Sequence, residues 1–153
     1  MREKQNITKL FIDLLFPRKP YCLLCDNKLT GIESIVCEDC KNEISPLTEP
    51  LCIKCGRPLE KKESFCHDCQ REHHAFVQAR SYGHYEATLK KLIHEFKYRG
   101  KQELAEVLGN MMFYVLKQLF WPEFDYLVPL PLHVKRQRER GFNQAYLLTK
   151  VLS

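Results

Sequence analysis

Apolar residues recur at i, i+3, i+4, i+7 and i+8 over residues 7–15, as Ile7, Leu10, Phe11, Leu14 and Leu15. That spacing is one face of an amphipathic helix. Pro17 and Pro20 end it, because a prolyl nitrogen has no hydrogen to donate. A packing helix is the simpler reading and a membrane-surface helix the other. Residues 21–74 lose the periodicity and carry several prolines. Residues 76–85 read as a strand or short hairpin. From 86 to 99 a helical stripe returns through Leu89, Leu92, Ile93 and Phe96, and Gly100 stands where a helix is followed by a left-handed residue. The broadest apolar face runs over 102–120, from Leu104 to Phe120, stopped by Trp121-Pro122. Met111 and Met112 read there as core filling. Residues 125–132 read as a short buried strand whose pairing fades at Pro129 and Pro131. A polar, basic stretch over 133–143 reads as a loop, and 144–152 as a closing helix through Ala145, Leu148 and Leu152.

The composition excludes several classes. With 44% apolar and 28% charged residues, the chain of 153 residues is globular rather than disordered. No apolar run approaches the roughly 20 residues that span a bilayer. The stretch 10–16 is short, contains Asp13 and is followed by no small-residue cleavage site, so a secretory signal is not expected and the chain is placed in the cytoplasm. The net charge of +5 is unevenly spread. Residues 22–74 hold seven basic and ten acidic side chains, and residues 75–153 hold twelve and seven. A chain-wide basic footprint is missing, and an anion-binding surface is expected in the C-terminal half.

All eight cysteines lie between 22 and 69, as four Cys-x-x-Cys pairs: Cys22/Cys25, Cys37/Cys40, Cys52/Cys55 and Cys66/Cys69. The gaps between pairs hold eleven, eleven and ten residues. A Cys-x-x-Cys turn aims two sulfurs at one point, and two such turns close a tetrahedral zinc site. Four turns therefore supply ligands for two zinc ions. Sequential pairing is the simplest, with crossed pairing of alternate turns compatible with the same spacing. A thioredoxin-like redox pair would need one such motif at a strand–helix junction, and disulfides would need an oxidising compartment. Four thiolates leave no open coordination position, so both sites read as structural. With few large apolar residues in this segment, metal must supply much of its folding energy, roughly 10–16 kcal/mol per structural zinc in small peptides. His67, His73 and His74 read as surface residues, because the cysteines already fill both sites.

The stretch 133–143 brings Lys135, Arg136, Arg138 and Arg140 within six positions, with Asn143 close behind. Guanidinium groups bind phosphate bidentately, which makes these five residues candidate phosphate or pyrophosphate contacts. Gly141 would let a loop bend towards the ligand. A solvated charge run is the competing reading. Lys97 and Arg99 are weaker candidates on the preceding helix.

Four features in order give the chain a family resemblance: Leu14-Leu15-Phe16-Pro17 ahead of the first cysteine pair; the four pairs themselves, with Cys52-Ile53-Lys54-Cys55-Gly56-Arg57-Pro58-Leu59; Phe96-Lys97-Tyr98-Arg99-Gly100; and Val128-Pro129-Leu130-Pro131-Leu132 followed by Arg138-Glu139-Arg140-Gly141-Phe142-Asn143-Gln144-Ala145. Across 10–152 it resembles the ComF family of competence-associated, phosphoribosyltransferase-like proteins. The resemblance implies a double zinc ribbon joined to the N-terminal part of a type I phosphoribosyltransferase-like α/β fold with an incomplete parallel sheet. Its expected divisions are an amphipathic helix at 1–20, the ribbon at 21–74 and the phosphoribosyltransferase-like part at 75–153. It also implies a role in the uptake of transforming DNA and a helicase-like partner.

In that family the ribose phosphate of phosphoribosyl pyrophosphate is gripped by a loop of two acids and a Thr-Thr-Gly-type turn. No such loop occurs here. Glu38-Asp39 lies inside a Cys-x-x-Cys pair, and Thr30-Gly31 lies between zinc ligands. The expectation is therefore a chain cut before the substrate loop, without turnover as it stands, that would bind phosphoribosyl pyrophosphate only with the remainder present. Helix 102–120 would then expose apolar surface and favour association. The alternative function is a zinc-ribbon binding module contacting single-stranded DNA or the helicase partner. The acidic balance of 22–74 favours protein contact by the ribbon.

Overall fold

A computed structural model describes residues 21–29, 34–119 and 124–153. The helix expected over 7–15 and the Leu14–Pro17 motif lie outside them. Six helices are described: α1 (Glu38–Asn42), α2 (His67–Arg71), α3 (Ala87–Tyr98), α4 (Leu104–Gln118), α5 (Val134–Arg140) and α6 (Gln144–Leu152).

The cysteine repeat is a structural repeat. In the first half, the Cys22 N–H donates to Asn27 O (2.7 Å), Asp26 N–H to Cys22 O (3.1 Å) and Leu23 N–H to Ile35 O (2.9 Å). In the second, Cys52 N–H donates to Arg57 O (2.8 Å), Gly56 N–H to Cys52 O (2.9 Å) and Ile53 N–H to Ser64 O (2.9 Å). Isolated antiparallel bridges, Tyr21 with Lys28 and Leu51 with Pro58, close the two knuckles. Each then leads to a one-turn helix preceded by a cysteine: Cys37 before α1 and Cys66 before α2. The knuckle needs a left-handed residue one place after its second cysteine. Asp26 fills it at φ 59° and Gly56 at φ 73°.

α3 and α4 follow the predicted stripes closely. α3 buries Thr88, Leu89, Leu92 and Phe96, and its chain turns at Gly100, which is left-handed at φ 68°. α4 buries Leu104, Ala105, Leu108 and Gly109. Its far end departs from the expectation of core filling: Met111 packs against the core, but Met112, Phe113 and Tyr114 are 41–46% exposed. α6 crosses α4 at Gly109, where a Cβ would stand 2.5 Å from Val151 Cγ1.

The main core joins the two parts of the chain. Cys22, Leu24, Val36, Cys40 and Ile44 of the first ribbon half pack with Leu89, Leu92, Phe96, Leu104, Leu108 and Phe142. Lys101 ties the same halves by ion-pairing with Glu95 and donating to Leu23 O, both at 2.7 Å. Thr88 donates to Glu43 across the same seam.

Four expectations need correction. Among the described residues there is no parallel sheet and no strand ladder; pairing is limited to three isolated antiparallel bridges. The segment 76–85 makes its hydrogen bonds with the ribbon instead: Ala79 N–H donates to Lys54 O (2.8 Å), Leu47 N–H donates to Tyr82 O (2.7 Å), and Gly83 bridges Pro46. Among the described residues the segment 125–132 has no strand partner, and Tyr126, Val128 and Leu130 are 78–84% exposed. Finally, the basic stretch is not a loop. Residues 134–140 form α5, started by His133, whose Nδ1 accepts from the Lys135 N–H (3.3 Å), and ended by left-handed Gly141 at φ 77°.

Candidate metal centres and the basic helix

Sequential pairing is the one the fold adopts. The sulfurs of Cys22, Cys25, Cys37 and Cys40 lie within 4.8 Å of one another, as do those of Cys52, Cys55, Cys66 and Cys69. Individual edges are 4.0 Å for Cys22–Cys40, 3.5 Å for Cys25–Cys37 and 3.7 Å for Cys55–Cys66. A tetrahedron with zinc–sulfur bonds of about 2.3 Å has edges of about 3.8 Å, so both sulfur sets have the size of a zinc site. No histidine enters either group.

The backbone prepares both sets for negative charge in the same way. Leu24 N–H and Cys37 N–H donate to Cys22 Sγ at 3.4 and 3.3 Å. Burial pushes the Cys22 thiol up, but backbone donors from Cys37, Cys25 and Leu24 outweigh it and bring it down to about 7. Cys52 is opposed by burial likewise, and the Cys55, Cys66 and Lys54 backbone groups bring it to about 6. Their partners go the other way. Burial, then the crowding thiols Cys55 and Cys66, push Cys69 up to about 12, and burial with Cys37 and Cys25 raises Cys40. Four thiolates this close cannot all ionise without a cation among them. Zinc, when bound, supplies that charge and holds the two turns together. The two groups fit two zinc ions.

The surroundings of the two centres differ. The first lies in the main core beside Leu89, Leu92 and Phe96. The second lies outside that core, although Cys52 and Cys66 are buried. It is held by its own contacts: Arg57 with Asp68 at 2.7 Å, and the Arg80 guanidinium on Ile53 O at 3.1 Å. Gly56 lets residues 79–80 approach, since a Cβ there would stand 2.9 Å from Ala79 O.

The five basic-stretch candidates separate into two groups. Lys135, Arg136 and Arg138 are exposed on α5, and Arg136 faces Glu139 at 3.8 Å. Arg140 turns inward: it lies 4.9 Å over the Tyr98 ring and donates to Gln144 Oε1 at 2.9 Å. Asn143 caps α6, accepting from Tyr146 N–H at 3.3 Å while its amide donates to Leu130 O at 3.2 Å. Asn143 also borders an open cleft of about 550 Å³ with Pro129, Pro131, Gln137 and Tyr146. Of the weaker pair, Lys97 and Arg99 bracket Tyr98, the ring under Arg140. The Tyr98–Arg140 pairing was hidden in the sequence, where 41 residues separate the two.

Two knuckle–helix repeats, each gathering four sulfurs, define a double-zinc-ribbon protein with a helical body. The double zinc ribbon domain model matches residues 11–70. The chain is 30% identical over 151 residues to competence protein ComFC of Bacillus subtilis, covering 88% of this chain and 62% of that protein. It is 29% identical to competence protein F of Haemophilus influenzae over 86% of this chain and 58% of that one, and 28% identical to the DNA utilization protein YhgH of Escherichia coli K12 over 86% and 60%. The chain thus spans about three-fifths of the length of these relatives. No solved structure matches it. The chain is similar to these competence and DNA-utilization proteins through the ribbon and the helical body alike. No helix among the described residues is long and apolar enough to cross a membrane.

Proposed function

We propose that this protein serves DNA uptake during competence, with Cys22, Cys25, Cys37 and Cys40 holding one structural zinc and Cys52, Cys55, Cys66 and Cys69 the other. The observation that carries the reading is the likeness to proteins named for competence across 88% of the chain, ribbon and helical body together. In this reading the segment 75–153 is the front of a type I phosphoribosyltransferase-like fold, and the protein works in the cytoplasm beside a helicase-like partner. Lys135, Arg136 and Arg138, exposed on α5, are the phosphate-side contacts. Arg140 and Asn143 position that helix against α3 and α6. The test is complementation. The full gene should restore transformation to a Bacillus subtilis strain lacking ComFC, and its Cys22→Ser/Cys52→Ser double variant should not. Failure of the unaltered, stably expressed protein would sink the reading.

A further inference from the structure

The acidic balance of the ribbon is an average over two unlike halves. Residues 22–50 hold two basic and six acidic side chains, whereas residues 51–80 hold six and four. The second half also carries exposed aromatic surface. His74 stacks on Phe76, ring centroids 5.2 Å apart and planes 13° from parallel. Lys54 Nζ stands 5.5 Å from the Phe76 ring centre. Phe76 is 41% exposed, and Ile53, Phe65 and Val77 are exposed on the same half. The knuckle fixes this arrangement. Ala79 N–H donates to Lys54 O at 2.8 Å and the Gln78 amide to Ile53 O at 3.0 Å, so the chain carrying His74 and Phe76 is pinned along Cys52–Cys55.

We infer that the His74–Phe76 stack with Lys54 is a platform for single-stranded nucleic acid, taking an unpaired base on aromatic surface and the adjoining phosphate on the lysine. Exposed rings interleaved with cations suit this ligand because every base has a face to stack and every link a charge to neutralise. A duplex buries its base faces and is a poorer fit. The first ribbon half carries an excess of acids and packs into the core. The inference rests on the proposed role in DNA uptake for its biological sense, but its test is independent of that role.

The test uses the full, zinc-loaded chain and a fluorescein-labelled dT20 strand, read by fluorescence anisotropy. Binding should weaken about tenfold in Phe76→Ala, the scale of one lost stacked base. An abasic strand of equal length, and a duplex, should each bind at least tenfold more weakly than dT20. Lys54→Ala should reduce the slope of log affinity against log salt by about one. Zinc content, measured on each variant, must stay at two per chain, and His74→Ala provides a second variant should Phe76→Ala lose metal. Equal binding of abasic and base-bearing strands overturns the platform. So does a loss seen only in Arg136→Ala/Arg138→Ala, which would place the strand on α5. No binding by the unaltered protein, or undiminished binding by both platform variants, also overturns it. Successful complementation alongside such a result would leave the competence role standing and leave the ribbon to a protein partner.

Discussion

Removing one sulfur from each centre should have unequal consequences. Cys22→Ser and Cys52→Ser delete equivalent ligands, 1% and 0% exposed respectively. Losing a structural zinc forfeits up to about 10–16 kcal/mol of folding free energy by the scale of small peptides. A domain of this size has a net stability of only about 5–15 kcal/mol. The first centre shares its core with Leu92, Phe96 and Leu104, which are 0%, 1% and 0% exposed. Its loss removes one wall of that core, so α3 and α4 should open with it. The second centre has no member in the core, and its loss should unfold the residues around 51–72 alone. Circular dichroism at 222 nm and hydrogen exchange of the α3 amides read the difference. Cys52→Ser should retain most helical signal and slow exchange in α3, with one zinc per chain. Cys22→Ser should lose both. Protected α3 amides in Cys22→Ser, or exposed ones in Cys52→Ser, would refute coupling through the shared core.

Gly109→Ala should lower thermal stability, by up to about 2 kcal/mol: helix propensity favours alanine by about 1 kcal/mol, but overpacking against Val151 costs about 1–3; a raised Tm would contradict the tight crossing. Arg140→Lys keeps the charge but loses the planar stack on Tyr98 and the fork towards Gln144, and should cost about 1 kcal/mol in chemical denaturation. Lys101 holds the Glu95 carboxyl below its usual 4.5. The unfolded chain therefore binds that proton first on acidification, and the pair's contribution is present above 4.5 and lost as pH falls through the lower folded value. Urea titrations should show Glu95→Gln about 1 kcal/mol weaker than the unaltered protein at pH 7, with the gap narrowing as pH falls below 4.5; a constant gap would exclude the ion pair as its source.

What the sequence made legible was whatever local chemistry dictates. Cys-x-x-Cys spacing encodes sulfur convergence within a single turn, so the eight ligands could be read, whereas sequential rather than crossed pairing is settled by how the knuckles fold back on their one-turn helices. α3 and α4 could be read because Leu89, Leu92, Phe96, Leu104 and Leu108 bury one face of each. α5 escaped because Val134 is its single apolar residue, and its helix is set by the His133 and Gly141 ends rather than by a stripe. Gly141 carried the signal, as a left-handed residue ending a helix, but was read as the bend of a loop. The segments 76–85 and 125–132 had strand-like composition. A strand also needs a neighbour, and composition does not say whether one is available. The charge contrast within the ribbon was present in the sequence from the start and vanished when the two halves were counted as one.

The seam through Cys22, Val36, Leu92 and Phe96 bears on how this protein can be cut. A ribbon cassette excised near residue 74 would keep all eight cysteines and yet leave the wall of its first centre facing water. The apparent boundary in composition is therefore a poor place for scissors, and dissection is safer by silencing one metal centre within the intact chain.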